Sequence, residues 1–216
     1  MHKYINSNEY FMYSELPIFE KPVYYRIIYE FLHSLIWEYP DFCQWYNGLF
    51  EENKELKGDR EIIISRRNNN LLGVSILKKT QEERKICTLR VAKPYRSQGI
   101  GKNLMELSFD WLEDDKPLIT IHKTKQGLFA PLFDYYGFKL EQKQWNYYSF
   151  FSTELAYNGI LPEKKILFNT LELFDINALY EKFIESGKFD FNKFSEECVG
   201  VWFQRKQRYD SYMLNT

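Results

Sequence analysis

Residues 89–112 read LRVAKPYRSQGIGKNLMELSFDWL, and their pattern decides the fold. The segment opens as a strand, passes Pro94, and reaches Arg96-Ser97-Gln98-Gly99-Ile100-Gly101. Beyond the glycines, Leu104, Leu107, Ser108 and Trp111 share one face at helical spacing, with Met105 and Leu112 beside them. The order is strand, glycine loop, helix. Glycines carry no Cβ, so backbone amides can approach an anion closely. Those amides stand at a helix N-terminus, where unsatisfied N–H groups and the helix dipole favour phosphate. A pyrophosphate-binding loop is expected. It is not a P-loop, because GxxxxGK[ST] is missing, and not a dinucleotide fingerprint, because GxGxxG is missing.

Upstream, residues 22–38 read as a helix, with Pro22 in its first turn and Ile28, Phe31, Leu32, Leu35 and Ile36 on one face. Pro40-Asp41 ends it, and Asp41 is placed to cap a second short helix through about residue 50. The whole first quarter reads as helical. The period then changes. Residues 61–66 (EIIISR) and 71–79 (LLGVSILKK) read as a hairpin around Asn68-Asn69-Asn70, and residues 86–92 (ICTLRVA) as a third strand. Its inward face is either Ile86, Thr88 and Arg90 or the more apolar Cys87, Leu89 and Val91. Downstream, residues 118–122 (LITIH) read as a strand, 128–136 as a helix closed by Gly137, and 138–151 as a further strand region. The fold class is α/β (α+β): a mixed, mostly antiparallel central sheet flanked by helices. The domain is expected over residues 1–151. Residues 152–216 read as a mainly helical C-terminal extension, with helical periodicity over 171–186 and 194–213. That extension packs on the same domain or at an oligomer interface, so a homodimer stays open.

Composition narrows the function class. Basic and acidic residues number 29 and 30, which argues against binding nucleic acid or an anionic membrane by bulk charge. Gln204-Arg205-Lys206-Gln207-Arg208 is a small basic cluster, more simply a solvated helix face than an RNA patch. No run approaches the roughly 18 apolar residues of a spanning helix, and no secretory h-region is visible. Cys43, Cys87 and Cys198 are odd in number and far apart, so neither a disulfide framework nor a metal site is expected. A cytoplasmic setting follows. Aromatic residues reach 19 %, while Ala occurs only four times. That excess reads either as compositional drift or as a ring-lined site.

Arg96-x-x-Gly99-x-Gly101, with a strand before and a helix after, resembles the GNAT superfamily of N-acetyltransferases. Leu132-Phe133-Asp134-Tyr135-Tyr136-Gly137-Phe138 is similar to that family's LYEKYGF block and lies at the matching distance. The resemblance covers about residues 1–150, with most of it in 85–140. It implies a transferase that uses acetyl-CoA as co-substrate, without metal, and acetylates a primary amine by direct attack. The acceptor stays open among a small molecule, a protein amine and an aminoacyl-tRNA. tRNA is therefore the one nucleic-acid partner left in view.

The resemblance places the pyrophosphate beside Arg96 and on the amides of Gln98, Gly99, Ile100, Gly101 and Lys102. It places the pantetheine arm along the backbone of Leu89 and Val91, and gives Gln126 a cofactor contact. Phe133 falls where many members carry a tyrosine that protonates the leaving thiolate, and it has no proton to give. Lys85 falls where some relatives carry a glutamate base, with Glu82 and Glu83 nearby. His122 is then the leading candidate base, since imidazole titrates near neutral pH; a strand-end histidine satisfied by backbone is the alternative. Tyr147 and Tyr148 are the remaining hydroxyl sources near the expected acceptor cleft. Cys87 reads as a small buried strand residue rather than a nucleophile. Because both usual catalytic groups are missing, a CoA-binding module that acts by interaction stands as the alternative function.

Overall fold

The computed structural model describes residues 3–5, 7–149 and 152–162. Eight strands form one sheet in the order β1-β2-β3-β4-β5-β6-β8-β7. They are β1 (Lys3–Ile5), β2 (Asn8–Met12), β3 (Arg60–Arg67), β4 (Asn70–Lys79), β5 (Arg84–Val91), β6 (Leu118–His122), β7 (Leu140–Trp145) and β8 (Thr153–Tyr157). The helices are α1 (Lys21–Leu32), α2 (Phe42–Asn47), α3 (Ile100–Leu112) and α4 (Gln126–Tyr136). Every neighbouring pair is antiparallel except β5 and β6, the two strands joined through α3.

Each face of the sheet carries its own core. On one, Ile63, Leu72, Leu77 and Ile86 pack with Ile100, Leu104, Met105 and Leu112 of α3 and Phe133 of α4. On the other, Ile62, Ile64, Val74 and Ile76 pack with Ile28 and Leu32 of α1 and Phe42 and Tyr46 of α2. The three consecutive isoleucines of β3 alternate between these faces, which is why the strand has no polar side.

Three differences from the sequence reading have clear physical causes. The first quarter is not all helical: residues 3–12 hold β1 and β2, whose Tyr10 and Phe11 supply one buried ring to each core. Strands so short carry too little periodicity to be seen. Asp41 precedes α2 but makes no capping hydrogen bond. In β5 neither proposed face holds throughout, because the register with β4 shifts between Ile76 and Leu77, which pair with Thr88 and Ile86. Cys87 is the extra residue of this bulge. Ile86, Leu89 and Val91 therefore share the α3 side, while Cys87 turns to the α1 side.

Gly137 closes α4 in the left-handed region at φ 63°. Phe138 donates its N–H to the Phe133 carbonyl at 2.8 Å, and the two rings stack 5.3 Å apart. The YGF block is thus a Schellman cap with its apolar contact. The expected division at residue 151 falls inside the sheet, since β8 runs between β6 and β7. The helices expected at 171–186 and 194–213 lie outside the described residues.

Gly73 is where β4, β5 and α3 come closest. A Cβ there would lie 2.8 Å from the Arg90 carbonyl oxygen and 3.0 Å from Leu104 Cδ1. Gly73→Ala is expected to cost about 1–3 kcal/mol through overpacking. Gly58→Ala, with nothing within 4 Å of the added carbon, serves as the near-neutral control. Urea unfolding of both variants reads the difference.

Candidate active site

The site begins where β5 and β6 part. Their parallel pairing is limited to Lys85↔Leu118 and Ile86↔Ile119. Beyond that, β5 runs on to Val91 and β6 to His122 without pairing to each other. The other edge of β5 stays paired to β4 as far as Val91. Ala92 donates its N–H back to Leu72 of β4. By strand alternation, the amides and carbonyls of Val91 and Leu89 face away from β4, into the wedge. The Val91 carbonyl accepts from Arg96 Nε at 3.3 Å, consistent with that direction.

The wedge opens toward the N-terminus of α3. Gly99 is the N-cap at φ 81°, no side chain caps the first turn, and no acidic residue stands in it. An added Cβ at Gly99 would meet nothing within 4 Å, and one at Gly101 only Val91 Cγ2 at 3.7 Å. Space therefore remains beside both glycines of this turn, which suits the approach of an anion to its uncapped amides.

The residues expected around this turn divide. Gly99, Ile100, Gly101 and Lys102 offer backbone amides there. The Ile100 side chain is core, and Lys102 Nζ reaches the Tyr135 hydroxyl on α4 at 2.7 Å. The Gln98 side chain is turned back to the Pro94 carbonyl at 3.1 Å. Gln126 is exposed at the start of α4. Phe133 is 2 % exposed and packed among Phe129, Phe138 and Tyr157, so its ring is a core contact.

On the α1 side of the sheet, the candidate proton-transfer groups stand around a residue the sequence reading passed over. His122, Glu154 and Gln144 lie opposite one another across β6, β8 and β7. Glu154 is fully buried, and neither carboxylate oxygen has a partner at full hydrogen-bond geometry among the described residues. Burial pushes its pKa up to about 7. The Tyr39 hydroxyl works against that by hydrogen bonding to the charged form, the Glu38 charge adds to it, and Lys85 opposes it. Tyr39 packs edge-on against Tyr148 at 5.4 Å. Lys85 Nζ reaches the Tyr148 hydroxyl at 3.5 Å. Lys125 pairs with Glu38 at 2.7 Å.

His122 is engaged at one ring nitrogen. Its Nδ1 accepts from the Thr124 N–H at 3.3 Å and lies 2.7 Å from the Thr124 hydroxyl. In the neutral ring Nε2 then carries the hydrogen, and the basic lone pair is already occupied. Tyr147 donates to the Pro162 carbonyl at 3.0 Å. Burial raises the pKa of Tyr148 and keeps it protonated. Burial also pushes the Cys87 thiol up, away from the thiolate a nucleophile needs. A strand reading of residues 153–157 would have found Glu154, as a lone acid inside an otherwise apolar strand.

The family model described as "Acetyltransferase (GNAT) family" matches residues 24–127. That span contains Arg96, Gly99 and Gly101 and ends before the Phe133–Gly137 cap and before β8. No curated protein matches the chain. Among solved structures, the ribosomal-protein-S18-alanine N-acetyltransferase from Escherichia coli is similar at 16 % identity and TM-score 0.47, over 72 % of this chain and 97 % of that one. A GNAT family acetyltransferase from Elizabethkingia anophelis with acetyl-CoA bound matches at 20 % identity and TM-score 0.39, over 46 % of this chain and 74 % of that one. Nourseothricin acetyltransferase matches at 15 % identity and TM-score 0.43, over 46 % of this chain and 64 % of that one, which is under two thirds of its own length.

Glu154 links this site to stability. Its ordinary pKa is 4.5, and the fold raises it to about 7. Below pH 4.5 both folded and unfolded chains hold the proton. Between 4.5 and 7 only the folded chain does, so stability falls as pH rises, and above 7 the loss is complete. The expected loss is on the order of 3 kcal/mol. Urea unfolding at acid and alkaline ends of that window should show this decline in the wild type and not in Glu154→Gln. Equal pH dependence in the two would refute it.

Proposed function

We propose, for a chain whose residues 24–127 match the GNAT acetyltransferase family model, an enzyme that transfers acetyl from acetyl-CoA to a primary amine. The observation that carries this reading is the parting of β5 and β6 beside the uncapped N-terminus of α3. Those two features supply what an extended amide-containing arm and a pyrophosphate each require. Among the described residues no group of metal-ligating side chains is present, and no helix is long and apolar enough to cross a membrane.

In this reading the first-turn amides from Gly99 to Lys102 hold the pyrophosphate, with Arg96 beside them. The backbone of Leu89 and Val91 receives the pantetheine arm as a β5 edge receives another strand. The thioester supplies an acyl carbon with a good leaving group. The Val91 N–H, directed into the wedge, donates to the acyl oxygen as charge gathers there. The protein holds the amine in line with the acyl carbon, so that the new C–N bond forms as the C–S bond breaks. The sulfur leaves with the bonding pair. A free thiol titrates near 8.5, so a thiolate departs near neutral pH with little help from an acid. Phe133 is compatible with this chemistry for that reason. The amine's proton needs an acceptor, and no covalent enzyme intermediate is involved.

Gly101→Glu isolates the cradle. An acidic residue in the first turn suits the α3 dipole, so the fold should persist. Its charge and bulk oppose a pyrophosphate at the same amides. Calorimetry with acetyl-CoA is expected to show at least a tenfold loss of affinity at unchanged melting temperature. Thiol release over a panel of a polyamine, a peptide α-amine, a peptide lysine and an aminoacyl-tRNA identifies the acceptor class. Binding without turnover on any of them would point to a non-catalytic CoA-binding module. Absence of acetyl-CoA binding would overturn the reading.

A further inference from the structure

Glu154 is an acid that the fold has no structural use for. Among the described residues it makes no ion pair and neither oxygen has a partner at full hydrogen-bond geometry, in a strand position where an apolar residue would pack without that cost. It sits one strand beyond β6, the strand that borders the wedge, and directly opposite His122. Tyr39 is half-buried, with its hydroxyl close enough to Glu154 to favour the charged carboxylate and its ring against Tyr148.

We propose that Glu154 is the terminal acceptor of the amine's proton, reached through the Tyr39 hydroxyl. The inference rests on the acetyl-transfer reading above. As the C–N bond forms, positive charge builds on nitrogen and its N–H becomes acidic. That proton passes to the Tyr39 oxygen, while the Tyr39 hydroxyl proton passes to a Glu154 carboxylate oxygen. Tyr39 ends neutral, as it began, and Glu154 ends as the uncharged acid, which returns its proton to solvent after the product leaves. Glu154 touches no substrate, so it is a positioning and proton-storing residue. Tyr39 is the group that meets the amine.

The surroundings agree with a carboxylate that must change charge within the working range. Facing it are Glu38 and Tyr39 from the turn after α1, Lys85 from β5, His122 from β6, and Tyr148 from the turn after β7; Gln144 of β7 lies opposite and does not titrate. Glu38 is itself held by Lys125. The opposing charges of Glu38 and Lys85 leave desolvation in control, which places the acid at about 7, suited to a general base near neutral pH.

The test is the pH profile of turnover with whichever panel amine the wild type accepts. Wild-type log kcat/KM should rise with a slope of two below neutral pH, one proton for the amine and one for Glu154. Glu154→Gln should rise with a slope of one and lose at least about a hundredfold in kcat, with acetyl-CoA affinity unchanged. Tyr39→Phe keeps the ring against Tyr148 and should show the same slope and a similar loss; it decides the matter alone if Glu154→Gln does not fold. A slope of two with kcat within threefold of wild type in either folded variant overturns the relay and leaves acetyl transfer standing. Acetyl-CoA binding with no turnover on any amine overturns both.

Discussion

Beyond Ile86, β5 keeps a partner strand on one edge only, and the rest of the site follows from that. An unpaired strand edge inside a sheet leaves N–H and C=O groups that need partners. Here the bare stretch is short, ends at Val91, and is followed within ten residues by the uncapped first turn of α3. The Cys87 bulge contributes, because an extra residue bends its strand and increases the twist just where β6 departs. Gly73 contributes from the other side. Its missing Cβ lets β4, β5 and α3 close up, which fixes the wall of the wedge against the helix that supplies the amides.

The parts of this arrangement visible in the sequence are those encoded by local chemistry. Gly99 and Gly101 before an amphipathic run signal a glycine loop leading into a helix, and Gly137 after the α4 run signals its end. Both hold in the structure. What was not visible depends on partners distant in sequence. β1 and β2 gain their identity from pairing with β3, with Tyr10 and Phe11 split between two cores. The face of β5 cannot be read from alternation, since one inserted residue reverses it. Glu154 was hidden for a related reason. Its neighbours Tyr39, Lys85 and His122 lie 115, 69 and 32 positions away in the chain, so no spacing rule connects them.

Two candidate groups illustrate how geometry reassigns chemistry. His122 is the base expected from its residue type, and the Thr124 backbone and hydroxyl occupy its Nδ1. Phe133 had the right position for an acid but is a core ring that stacks on Phe138 beneath the α4 cap. A hydroxyl at that position would have to remain unsatisfied or disturb the stack of Phe129, Phe138 and Tyr157. The chemistry that remains in demand is proton removal, since a thiolate leaves without assistance more readily than an amine loses its proton.

The aromatic excess bears on that demand through dielectric rather than through contact. Most rings on the α1 side are ordinary core: Tyr13, Tyr46 and Phe50 pack face and edge beneath α1 and α2. Tyr39 differs, because its hydroxyl acts on a buried carboxylate while its ring packs on Tyr148. Apolar side chains there would remove the hydrogen bond that holds the pKa of Glu154 down and raise it further. Fully solvated ones would return it toward 4.5, too weak a base to take a proton from nitrogen at the moment the bond forms. A phenol does both jobs, so the relay gives a composition otherwise explained by drift one position, 39, where it calls for a tyrosine.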